Sequence, residues 1–308
     1  MKEIRIKAAA KINLFLRVLN RRPDGFHDIY SLFQAVGLFD SLVFFRKKQN
    51  EFRLTITGEN HLPTDDRNLV VKTARMLFSE FGLPGGLEIN LIKRIPVSSG
   101  LGGGSSDAAA TIYAIDRLFD LNLTSERKAT LGLRIGSDVP FFFSSGQAEI
   151  SGRGEKISEI LLPTDYSIIL INPRFAISTA ESYRRLNFAL TTPGHHIKFT
   201  PCDDFSELVA QIRNIGNDFE EIHLKAFSVL AEIRDVLKKT GAALVRMSGS
   251  GPTIFGLYEK KPDMGNVSEI IRGNWRVFVA HPITLPAWNP EEKQVTFGRE
   301  EKPWKSQR

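Results

Sequence analysis

Between Pro96 and Ser106 the chain reads PVSSGLGGGSS, with four glycines in the five positions from Gly100 to Gly104. Fixing so much backbone freedom is costly in a turn that only connects two elements. It is useful where bare N–H groups must curl around an anion. Alternating Leu87, Ile89 and Leu91 predict a strand just before the run, and Ala108, Ile112, Ile115 and Leu118 or Phe119 a helix just after it. The positive end of that helix then falls on the same spot. Ser105, Ser106 and Asp107 are expected to cap the helix and to supply an acidic first turn. Two common phosphate motifs are excluded: Gly104 is followed by Ser105-Ser106 instead of Lys-Ser/Thr, and Ser105 stands where a dinucleotide fingerprint needs its third glycine. An anion cradle over Pro96–Ser106 is the expectation; a flexible hairpin is the plain alternative.

Three further features could do chemistry. Asp138 sits in GSDVPFFF, between a helix end and an apolar run, where desolvation would make a carboxylate a better base; an acid in such a place is also an ordinary turn residue. Lys11 lies in AAAKINL, among small and apolar neighbours, and calls for a carboxylate or an anion unless it is an edge-strand lysine. Ser248-Gly249-Ser250-Gly251 separates the apolar runs 242–247 and 253–258, as a turn closing over phosphates or as a simple hairpin.

The elements that must position these groups can be read in part. Strands are expected over 4–18, 43–45, 52–57, 87–92, 167–171, 242–247, 253–258 and 275–280, with a turn at Arg22-Pro23-Asp24-Gly25. Helices are expected over 68–81, ended by Gly82, and over 105–118, 124–135, 179–190, 205–208 and 226–239. A polar loop spans 191–204, and the Pro- and charge-rich residues from about Pro286 read as a loose tail. A composition break at Leu161–Asp165 divides the chain into 1–162, 163–285 and the tail 286–308.

Hydrophobic residues at 42% and charged residues at 25% give the balance of a folded globular chain. The net charge of +6 favours an anionic partner, but its densest runs, such as Arg46-Lys47-Lys48, are short, so no nucleic-acid groove is expected. A single cysteine, Cys202, excludes an internal disulfide and fits a reducing, cytoplasmic compartment. Lys7 and Lys11 interrupt the first apolar segment, so neither a secretory leader nor a membrane span is expected. Oligomeric state is not legible.

Taken in order, these segments resemble the GHMP kinase superfamily, with its N-terminal motif, central glycine–serine loop and C-terminal glycine motif. AKINLFL at 10–16 with RPDGFH at 22–27, GLGGGSSDAAA at 100–110 and SDVPFF at 137–142 are similar to the kinases of 4-diphosphocytidyl-2-C-methyl-D-erythritol. The resemblance implies an α+β fold of two domains, mixed sheets with helices, and an active site in the cleft between them. It implies ATP with Mg²⁺ and a small cytidyl-diphosphate acceptor, whose tertiary 2-hydroxyl takes the γ-phosphate. Asp138 would be the base and Lys11 its neighbour. Pro96, Gly100, Leu101, Gly102, Gly103, Gly104, Ser105 and Ser106 would hold the ATP phosphates, with Ser106 helping the metal. Asn68 and Lys93 would line the adenine pocket. Asn13, Phe26, His27, Thr179 and Tyr183 would bind the acceptor, His27 by hydrogen bonds to cytosine and the Phe26 and Tyr183 rings by stacking. Ser248, Gly249, Ser250 and Gly251 correspond to the C-terminal motif. The superfamily branch usually carries Tyr where Phe26 stands, which keeps stacking and loses a hydroxyl; Ser98-Ser99 replace a smaller pair.

Overall fold

The computed structural model describes residues 3–59, 61–186, 199–263, 265 and 274–285. The end of the helix expected over 179–190, much of the loop 191–204 and the tail 286–308 lie outside the described residues.

Two long strands dominate the first layer. β1 (Glu3–Arg21) turns through Arg22–Gly25 into β2 (His27–Lys47), its antiparallel partner along nearly its whole length. The second edge of β2 is shared: β4 (Gly86–Ile92) pairs with Ser41–Lys47 and β5 (Gln147–Gly152) with Ile29–Gln34. β3 (Phe52–Thr57) runs parallel to β4, and β6 (Lys156–Glu159) closes the far side against β5. The short strand expected over 43–45 is thus the end of a 21-residue one. Its inward polar residues Ser31, Gln34 and Asp40 are buried and hydrogen-bonded, which breaks the apolar alternation that marks a strand.

Three helices pack beside this sheet: α1 (Leu69–Phe81), α2 (Gly103–Leu118) and α3 (Ser125–Leu133). Asn68 caps α1 by accepting from the Val70 N–H, and Gly82 ends it in the left-handed region. Ala108, Ala109 and Ala110 are fully buried, so their small side chains let α2 lie close to its neighbours α1 and β1.

The second layer is an antiparallel sheet ordered β10-β7-β9-β8, from β7 (Ser167–Asn172), β8 (Leu244–Met247), β9 (Ile254–Tyr258) and β10 (Arg276–Ala280). Around it lie α4 (Thr179–Arg185), α5 (Phe205–Ile215), α6 (Glu220–Ala226) and α7 (Ser228–Lys239). The helix expected over 226–239 is α7, starting two residues later, because Phe227 takes an extended conformation and tilts against Phe175; α6, which ends at Ala226, is not among the expected helices. No described helix is long and apolar enough to cross a membrane.

Candidate active site

The free edge of β1 is the spine of the site. Lys11 N–H donates to Leu101 O at 2.9 Å, which ties the glycine loop to the strand. Two residues on, Asn13 N–H donates to Ser248 Oγ at 3.2 Å, which ties the hairpin to the same edge. Register shifts at Ala9/Ala10 and between Asn13 and Phe15 bracket this stretch, as bulges often do beside active sites.

α2 begins at Gly103, two residues earlier than expected, and the capping expectation for Ser105, Ser106 and Asp107 is corrected. The cap is Gly102, left-handed at φ 68°, with no side-chain bond. Lys11 explains why a side chain is excluded there: a Cβ on Gly102 would stand 2.9 Å from Lys11 Cγ. Gly100, at φ 80°, is equally constrained, because a Cβ would overlap the Ser248 carbonyl oxygen. The first-turn N–H groups of α2 are therefore left uncapped by side chains beside a cavity of about 970 Å³.

That cavity is walled by Pro96, Gly100, Gly102, Gly103, Gly104 and Ser105 from the loop. Lys11, Asn13, Asn68, Lys93 and Asp138 line it from the first layer, and Thr179, Tyr183, Gly249 and Ser250 from the second. Leu101 and Ser106 are fully buried behind the loop, and Ser248 behind the hairpin.

Alternation puts Lys11 and Asn13 on one face of β1. Lys11 Nζ donates to Asn13 Oδ1 at 2.6 Å, lies 3.4 Å from Asp138 Oδ2 and sits 4.4 Å from the centre of the Phe33 ring. Burial lowers the Lys11 pKa, and the neighbouring Asp138 opposes that shift. The Lys11 side chain is 4% exposed and that of Asp138 33%, so the ammonium is held dry while the carboxylate faces the cavity.

Lys93 has a commitment that its sequence position does not announce. Its Nζ bonds Asp40 Oδ2 at 2.5 Å and Asp107 Oδ2 at 2.7 Å, all three side chains being nearly inaccessible. Asp40 Oδ1 also accepts from the N–H groups of Arg94 and Ile95. Asp107 is thus a buried ion-pair partner instead of a helix-end charge, and burial pushes its pKa up to about 7 against the pull of Lys93. This knot pins the N-terminal part of α2 to β2 and to the segment after β4.

Tyr183 and Phe219 give the cavity an aromatic side, with His27 and Phe26 beyond its lining. His27 and Tyr183 stack in parallel, 4.6 Å apart at 8°, and Phe219 meets the other side of Tyr183 edge-on at 5.0 Å. Phe26 stands half exposed with the Arg153 guanidinium 5.0 Å above its ring. Burial pushes the Tyr183 pKa up to about 12, so its phenol stays protonated and cannot serve as a base near neutrality. Thr179 and Ser250 share a hydroxyl–hydroxyl bond of 2.9 Å, which joins α4 to the hairpin. Sequence reading missed Asp40, Phe219 and Asn217, whose partners are distant in the chain.

Comparisons agree with this geometry. The descriptions "GHMP kinases N terminal domain" and "GHMP kinases C terminal" match residues 68–146 and 203–277. A 4-diphosphocytidyl-2-C-methyl-D-erythritol kinase of Syntrophus aciditrophicus is 37% identical over 282 residues, 91% of this chain and 99% of that protein. One from a Geobacillus species is 38% identical over 274 residues, 87% of this chain and 92% of its own. A crystal structure of 4-(cytidine 5'-diphospho)-2C-methyl-D-erythritol kinase superposes with a TM-score of 0.70 at 30% identity, over 90% of this chain and 99% of that one. A mevalonate kinase structure reaches a TM-score of 0.71 at only 15% identity over 91% and 99%, which speaks for the fold alone. A knot-braced glycine loop, a lysine–aspartate pair and these likenesses together give one answer: the chain belongs to the GHMP kinase superfamily, in the family of the 4-diphosphocytidyl-2-C-methyl-D-erythritol kinases.

Proposed function

We propose that the protein transfers the γ-phosphate of ATP to the tertiary 2-hydroxyl of 4-diphosphocytidyl-2-C-methyl-D-erythritol, a step towards isoprenoid precursors. The observation that carries the reading is the Lys11–Asp138 pair, set in the wall of a cavity whose other side is the glycine loop and the tip of α2. Phosphoryl transfer asks a protein for positioning and charge stabilisation more than for covalent help. The loop N–H groups and the α2 terminus hold the phosphates. Lys11 offsets negative charge on the migrating group, and Asp138 accepts the proton of the acceptor hydroxyl as the bond to phosphorus forms. Pinned by Asn13, Lys11 also keeps Asp138 oriented.

Mg²⁺ fits the donor set. Ser106 Oγ, buried behind the cavity lining with no hydrogen-bond partner, is the side-chain oxygen that would be offered to the ion. No cluster of three or more His, Cys, Asp or Glu side chains is found among the described residues. When bound, it would neutralise charge on the phosphate oxygens.

Asn68 and Lys93 shape the adenine side, Asn68 with its carboxamide already engaged by Val70 N–H and Pro63 O. Cytosine goes to the Tyr183 ring. His27, stacked on Tyr183, is the group assigned to hydrogen-bond the base, and Phe26, half exposed, the second ring for stacking. The division into 1–162, 163–285 and a tail, and a cytoplasmic setting, complete the reading.

The test is product identity. Incubated with Mg-ATP and a panel of alcohols that includes the cytidyl substrate, homoserine and mevalonate, the protein is expected to add one phosphoryl group to the cytidyl compound alone, read by mass. Phosphorylation of another alcohol in its place would overturn the assignment.

A further inference from the structure

Below the hairpin, one side chain holds more than its neighbours. Asn217, in the turn between α5 and α6, is 7% exposed. Its Nδ2 donates to Met247 O at 2.8 Å and to Gly249 O at 2.9 Å, and its Oδ1 accepts from the Phe219 N–H at 2.9 Å. Both donors and the acceptor of one carboxamide are thus used, in the plane that only an Asn or Gln side chain offers. The turn itself is fastened to β1: Leu16 N–H donates to Gly216 O, and Asp218 N–H to Leu16 O. Val18 N–H donates to Asp218 Oδ2, and Arg17 Nε pairs with Asp218 Oδ1 at 2.9 Å.

The hairpin that Asn217 grips touches the phosphate loop directly. Ser248 Oγ donates to Gly100 O at 2.9 Å, Thr253 N–H donates to Ser99 O at 3.3 Å, and Gly249 lies against Asn13 and Gly100. We propose that Asn217 is a positioning residue for the nucleotide side of the reaction: it transmits the rigidity of β1 to the Ser248–Gly251 hairpin, which in turn fixes the carbonyls of Ser99 and Gly100 and so the shape of the phosphate loop. Its Oδ1 separately anchors Phe219, the edge-on support of Tyr183, on the acceptor side. One carboxamide therefore serves two sites with two different atoms, and the two can be cut apart. The inference rests on the proposed function only for the identity of the acceptor, because its principal readout is nucleotide binding.

Asn217→Asp keeps shape and Oδ1 but turns two donors into an acceptor facing two carbonyls. For the full-length protein at pH 8, calorimetry is expected to show Mg-ADP binding weakened about tenfold or more, while cytidine 5′-diphosphate binding stays within about twofold. Near pH 6 a buried carboxyl takes up a proton and recovers one donor, so the nucleotide deficit relative to wild type is expected to shrink at least about threefold. Asn217→Ala, which loses both functions, is expected to weaken both ligands. Should the Asp variant fail to fold, Asn217→Ser, which introduces no charge, is expected to weaken Mg-ADP about threefold or more. Mg-ADP binding at wild-type strength in the folded variant would overturn the proposal. So would equal losses for both ligands in Asn217→Asp, which would mark Asn217 as a general structural residue. Wild-type protein that binds Mg-ADP but not cytidine 5′-diphosphate would count against the acceptor assignment, while the role of Asn217 would still be decided by the Mg-ADP comparison.

Discussion

Asp138→Asn is expected to lower kcat about a thousandfold, within the range that a lost general base costs, while Mg-ATP binding stays within about threefold. The asymmetry follows from where Asp138 stands. Its carboxylate lines the cavity, paired with Lys11 Nζ and, among the described residues, hydrogen-bonded to no backbone N–H of the loop. The amide is nearly isosteric, so Lys11 keeps an oxygen partner and its bond to Asn13 Oδ1. What disappears is the capacity to take a proton from the acceptor. Steady-state turnover with calorimetric nucleotide binding on the same preparation checks both halves. A variant within about tenfold of wild-type turnover would remove Asp138 from the role of base.

The second large effect is on stability. Lys93→Met strands Asp40 and Asp107 in a place where neither reaches water, and breaking a buried pair by removing one partner costs about 3–5 kcal/mol. The penalty depends on pH. In the native chain burial already raises Asp107 to about 7, above its ordinary value of 3.8. A carboxyl raised in the folded state adds stability below its unfolded pKa and loses it as pH climbs through the folded one. Without the ammonium, Asp107 is driven further towards the neutral form. Urea unfolding of Lys93→Met is therefore expected to show its largest deficit at pH 8 and a clearly smaller one at pH 5. Asp107→Asn, which keeps the shape and discards the charge, is expected to flatten the fall in native stability between these pH values. A Lys93→Met chain as stable as wild type at pH 8 would mean that the knot carries no weight.

How far the sequence reveals this arrangement depends on whether each signal is local. The glycine loop, the Gly82 stop, the helix after the loop and the strand–turn–strand around Ser248–Gly251 each announce themselves within a dozen residues; the structure contains all of them, with α2 starting two residues early at Gly103. Lys11 and Asp138 carry no such mark. Each has a commonplace reading as an edge or turn residue, and only their meeting across the fold makes them a pair. The knot at Lys93 is more hidden, since Asp40 is 53 residues away in the chain and lies in a strand whose buried polar side chains disguise it. Asp107 invites the wrong reading because an acid near a helix start ordinarily answers the helix dipole; here Gly102 caps the helix with backbone alone and frees the carboxylate to turn inward. The short helix α6 before Phe227 escapes periodicity, because apolar residues on it and on α7 face the same core. Asn217 belongs to this class as well: a polar residue in a turn, whose partners lie 30 and 32 residues on.

A crystal structure with Mg²⁺ and a non-hydrolysable ATP analogue tests the centre of this account most directly. The expected result has the terminal phosphoryl group enclosed by the N–H groups of Gly102–Ser106, in contact with Lys11 Nζ, and with Asp138 across the gap left for the acceptor hydroxyl. A triphosphate lodged elsewhere, or an acid other than Asp138 confronting its last phosphorus, would contradict it.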